Sequence, residues 1–138
     1  MEEKSKLANE VIKNFKELAK KYNFKTRDNA NGISLCAKNT DRRWENWIIY
    51  NSSDNSIVLI GNTDQCNFWF CDTRPDLTPE KLIDFTKDLN KILDKLGYEV
   101  SLKTLIDPED WQEIANIHDA YDDPRYSVNI EEEEELWV

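Results

Sequence analysis

The chain has 138 residues, enough for one domain with its own apolar core and no need of disulfides or metal to fold. Hydrophobic residues make up 39% and charged residues 33%, a globular composition rather than a disordered one. A formal charge of −10 argues against free nucleic acid or an anionic membrane surface as the main partner. No apolar run approaches a transmembrane length, and the opening MEEKSKLANE has no signal-peptide core, so a soluble, cytoplasmic protein is expected.

The first predicted element is a helix from about Lys4 to Tyr22. Leu7, Val11, Ile12, Phe15, Leu18, Ala19 and Tyr22 recur at three- and four-residue steps and form one apolar stripe. A short run from Phe24 to Asp28 is separated by Asn31-Gly32, a turn signal, from an alternating strand over Ile33 to Lys38. Trp44 to Tyr50 and Ser56 to Ile60 flank the polar loop 51–55 and read as a hairpin. Cys66 to Cys71 (CNFWFC) is nearly all apolar and reads as a strand covered on both faces.

The second helix has the clearest punctuation: Thr78 as cap, Pro79 as first helical residue, a stripe of Leu82, Phe85, Leu89, Ile92 or Leu93, and Leu96, and Gly97 as the stop. Tyr98 to Thr104 alternates as a further strand. Asp107-Pro108-Glu109-Asp110 opens a third helix, with early acids favourable to the helix dipole and with Trp111, Ile114, Ala115 and His118 on one face. The expected fold is α+β: a mostly antiparallel sheet of about five strands with helices on one face, in the order α-β-β-β-β-β-α-β-α-tail. Residues 1–125 form the single domain, and the acidic segment 126–138 docks on it.

The charge is unevenly placed. Residues 1–104 carry 17 Lys/Arg against 16 Asp/Glu, a balance of +1. Residues 105–138 carry twelve acids (Asp107, Glu109, Asp110, Glu113, Asp119, Asp122, Asp123, Glu131, Glu132, Glu133, Glu134 and Glu135) against Arg125, a balance of −11. A charge run is commonly a solvated tail. This one is followed by Leu136, Trp137 and Val138, which a pure solubility tail does not need, so the acids and Trp137 form the candidate partner-binding surface. Concentrated like charge opposes compaction but steers a basic partner onto the protein. The Glu run has no DxDxDG spacing to organise calcium.

Cys36, Cys66 and Cys71 lack CxxC spacing, so zinc held by them with His118 is disfavoured and reduced, buried thiols are expected. His118 has no accompanying nucleophile motif, and GxSxG, HExxH, P-loop and GxGxxG patterns are all missing. No enzymatic activity, cofactor or metal is therefore expected. Arg74, between Asp72 and Asp76, reads as a local ion pair that orders its loop, with a fork onto a ligand anion as the alternative. Trp44 and Trp47 fall an odd number of residues apart on one strand, which places one in the core and one half-exposed. Together with Trp69 and Arg74 they make up the alternative reading, a small-ligand pocket.

In size, acidity and want of a catalytic motif, the chain is similar in style to small inhibitor proteins of mobile elements. These include phage anti-defence proteins such as anti-CRISPRs, some of which mimic DNA, and acidic immunity proteins that block basic nuclease toxins. The resemblance is one of composition and implies a non-enzymatic protein that masks a basic, nucleic-acid-binding protein partner.

Overall fold

The computed structural model describes residues 2–39, 41–60, 62–63, 66–67, 70–106 and 108–118. Helix α1 spans Glu2–Tyr22, and its predicted stripe is the buried side: Val11, Phe15, Leu18, Ala19 and Tyr22 are all in the core. It ends at Asn23, which takes a left-handed conformation (φ 61°) while Phe24 N–H donates back to the Ala19 carbonyl at 2.9 Å.

Four strands follow as an antiparallel meander in chain order: β1 (Lys25–Asn29), β2 (Gly32–Lys38), β3 (Trp44–Asn51) and β4 (Ser56–Leu59). Gly32 faces Asn51 across the β2–β3 ladder, where an added Cβ would lie 2.1 Å from the Tyr50 carbonyl oxygen, so only glycine fits without a backbone shift. Ile33 opposite Tyr50 and Leu35 opposite Ile48 set the buried face. The register slips between Leu35 and Cys36: Leu35 pairs with Ile48 but Cys36 with Asn46, which leaves Trp47 as the extra residue of a bulge. The bulge breaks strict alternation, and the consecutive residues Trp47 and Ile48 are both fully buried. Trp47 then becomes the hub of an aromatic cluster, stacked on Phe85 (12° between planes) and tilted against Phe24 and Phe70, each at 5.3 Å between centroids.

Helix α3 (Pro79–Asp94) starts as expected: the Thr78 side chain accepts from Lys81 N–H and Pro79 sits in the first turn. Leu82, Phe85, Leu89, Ile92 and Leu93 are buried. Its end is a Schellman motif, with Gly97 at φ +79° and bonds from Tyr98 N–H to Leu93 O and from Gly97 N–H to Asp94 O. Helix α1 packs on α3, β1 and β2, which gives a helical layer over one face of the sheet. Helix α5 (Pro108–Ile117) packs on the short helix α2 (Phe70–Thr73) and on α3, and buries Trp111, Ile114 and Ala115.

Two expected strands are corrected. Within 66–71, Cys66–Asn67 (β6) pairs with Asn62–Thr63 (β5) as a separate two-stranded sheet, while Phe70–Thr73 is a helical turn, α2. A short apolar run bears no period, and the buried Phe70 is served as well by a helix against Trp47 as by a strand. Tyr98–Thr104 forms no strand. The Asn90 side chain takes both backbone groups of Val100, accepting from its N–H at 2.9 Å and donating to its carbonyl at 2.8 Å, as a neighbouring strand would. Ser101 then caps a short helix α4 (Leu102–Leu105). The architecture is thus α+β with a four-stranded antiparallel sheet, where about five strands were expected. The segment 126–138, expected to dock on the domain, lies outside the described residues. Among the described residues no helix is long and apolar enough to cross a membrane.

Candidate functional site

The acid-rich region is anchored on α5. Glu113 is exposed on this helix, on the side away from Trp111, Ile114 and Ala115. Asp110 differs from the expected exposed acid: it is 6% exposed, and its carbonyl oxygen lies 4.0 Å from the Cys71 sulfur of α2. The physical reason is the docking of α5 against α2, which closes over the first turn of α5. Asp107, the Glu109 side chain, Asp119, Asp122, Asp123, Glu131 to Glu135 and Trp137 lie outside the described residues.

The structure adds an acid that the sequence reading left out of this group. Burial pushes the Cys71 thiol up to about 11, and the negative charges of Glu113, Asp110 and Asp72 push in the same direction. Asp72 on α2 therefore belongs to the same local acidic field as Glu113, although 41 positions separate them in the chain. Its signal was present only as Asp72 beside Arg74, which favoured a loop ion pair instead.

The alternative pocket does not assemble among the described residues. Trp47 is filled in on all sides by Phe24, Phe70 and Phe85. Arg74 is 5% exposed, and its guanidinium is engaged throughout: Nε and Nη2 fork onto the two carboxylate oxygens of Asp76 at 3.1 and 2.9 Å. Nη1 donates to the Asn23 carbonyl and Nη2 to the Tyr22 carbonyl, at 2.8 and 2.6 Å. Arg74 thus closes the C-terminus of α1 from another part of the chain, where carbonyls need donors and a cation suits the dipole. It also stacks over Phe24 at 4.8 Å. The local ion pair is the reading the geometry supports. Trp69 lies outside the described residues.

Trp44 is half-buried and touches the edge of the core. By register it shares the outward face of the sheet with Lys38, with Lys38 and Lys25 ammonium groups 5.1 and 5.2 Å from its ring centre. Arg27 reaches over β2 from β1 and donates to the Trp44 carbonyl at 2.9 Å. Beneath it lie the buried Ser34 and Cys36, and burial raises the Cys36 thiol above its usual value.

A groove of about 300 Å³ lies between α1 and α3, lined by Asn14, Lys21, Asp88 and Lys91 among others. On its wall Asp88 takes Lys21 at 2.7 Å and the Tyr22 hydroxyl at 2.7 Å, with Lys91 at 3.8 Å. His118 follows α5 half-buried, its N–H bonded to the Ile114 carbonyl. Cys36 and Cys71 are free thiols. Among the described residues no group of three or more His, Cys, Asp or Glu is placed to hold a metal ion. No protein-family model, curated protein or solved structure matches the chain.

Proposed function

We propose that this chain is a non-enzymatic acidic binding protein that masks a basic partner protein in the cytoplasm. The partner class is a nucleic-acid-binding effector such as a nuclease, in the manner of anti-defence or toxin-immunity inhibitors. The observation that carries this reading is the segregation of charge: −11 in residues 105–138 against +1 in residues 1–104. Self-repulsion of that density disfavours the compact state, and a complementary basic surface relieves it. Exposed Glu113 on α5, with Asp72 on the adjoining α2, extends the acidic field onto the folded body. Charge of this kind speeds the encounter and excludes acidic competitors more than it adds affinity.

The test is capture of partners on the immobilised full chain from lysate, with elution by salt and identification of what elutes. Basic nucleic-acid-binding proteins retained at low salt and released near 1 M, where the screening length falls to about 3 Å, support the proposal. Retention of no basic protein, or retention insensitive to salt, contradicts it.

A further inference from the structure

The two faces of the sheet differ in charge. The ladder places Lys25, Arg27, Asn29, Ser34, Cys36, Lys38, Trp44, Asn46, Ile49, Asn51, Ser56 and Val58 on the face turned away from α1. That set holds three cations and no acid, and among the described residues the one negative charge felt at Cys36 is that of Glu45 on the neighbouring position of β3. Lys25 and Arg27 are exposed, and Val58, opposite Ile49, is 48% exposed, so a cationic area adjoins an apolar one. The lysines of α1 are differently placed. They alternate with Glu10 and Glu17, and Lys16 and Lys21 pair with Asp28 and Asp88, while Glu10 takes Lys95.

We infer that this outward face is a docking surface for an acidic peptide, and that its occupant is the chain's own segment 119–138. That segment carries eight acids against Arg125, and it combines its Glu run with Leu136, Trp137 and Val138. Its charge complements Lys25, Arg27 and Lys38, and its apolar residues complement Ile49, Val58 and the Trp44 ring. Reach is ample: Glu131 lies thirteen residues past His118, about 40 Å of extended chain, against a radius of gyration near 14 Å for a chain of this size. Docking is intramolecular and needs no partner, so its test is independent of the capture experiment. A basic partner would compete with the sheet for the same acids.

The test is zero-length carbodiimide cross-linking of the full chain at low salt, on an equal mixture of ordinary and nitrogen-15-labelled protein, with the linked peptides mapped by mass spectrometry. Amide links from Lys25 or Lys38 to acids of 119–138, each within one isotopic species, are expected. They should vanish at 1 M salt while the Lys21–Asp88 link persists. Three outcomes overturn the inference: no link from Lys25 or Lys38 to this segment, mixed-isotope links making up about half of the total as random pairing between chains requires, or equal links to Lys13 and Lys20 of α1.

Discussion

Arg27 on β1 hydrogen-bonds the backbone carbonyl of Trp44 on β3 at 2.9 Å, so one side chain straps across the whole width of β2. The strap lies over Cys36, whose sulfur is 3.5 Å from the Asn46 oxygen that Arg27 also approaches. On this outward face Cys36 and Ser34 are only 1% and 3% exposed. The strap also fixes the centre of the cationic face.

Removing the strap should open Cys36. In Arg27→Ala the thiol gains access to solvent, and its alkylation in the native protein should accelerate, because relief of the burial that disfavours the thiolate outweighs loss of the Arg27 charge that favours it. An unchanged alkylation rate at Cys36, located by mass spectrometry, would show that other side chains cover it.

Arg74 is a fold residue. Arg74→Met keeps much of the stem but leaves the Tyr22 and Asn23 carbonyls without their donor, which should cost about 1–3 kcal/mol. Asp76→Asn should cost less, under about 1 kcal/mol, because that carboxylate is half-exposed and screened. Denaturant titrations of both variants check the order. Equal losses would mean that the Asp76 pair, and not the closure of α1, is what Arg74 contributes.

The mid-stripe position Leu89 is completely buried in α3. Leu89→Ala should therefore destabilise by about 2–5 kcal/mol through lost transfer energy and the cavity left behind. A melting temperature equal to that of wild type would show that α3 does not close the core at this point.

Much of this fold could be read from the sequence, and the reasons are particular. Thr78-Pro79 and Gly97 act through local geometry, so they marked both ends of α3. Asn31-Gly32 and the polar loop 51–55 likewise announced the β1–β2 and β3–β4 turns. The misreadings came from residues whose partners are distant. Val100 looked like strand because its backbone bonds are supplied by Asn90, a side chain on a helix. Trp47 and Ile48 violate alternation through a bulge that no residue type signals. At the site, Asp110 looked exposed because nothing in its neighbourhood reveals that α2 covers the first turn of α5, and Asp72 was not grouped with Glu113 for the same reason.

Acid should loosen the protein by a route two carboxylates define. The Arg74 fork holds Asp76 below its ordinary 3.8. At Asp88 burial pushes upward, but hydrogen bonds from Lys21 and Tyr22 outweigh it, and the carboxyl also lies below its ordinary value. A carboxyl whose folded pKa is depressed contributes stability above its unfolded pKa and loses it as pH falls through the folded one. The loss should therefore begin below about pH 4 and deepen with further acid. Asp76→Asn and Asp88→Asn should each flatten this acid limb in urea midpoints measured against pH. Limbs parallel to wild type would assign the acid sensitivity elsewhere.

Binding of a basic protein by the acid-rich C-terminal region is best checked through the kinetics of one variant. Replacing Glu131 to Glu135 with Gln removes five charges at nearly constant shape. Rates should be measured at low salt for the basic protein retained by the full chain. Slower association, a shallower salt dependence, and little change in dissociation or in melting temperature are expected, because charges of this kind steer encounter more than they hold the complex. Association as fast as wild type at low salt, with the same salt dependence, would contradict binding through this region.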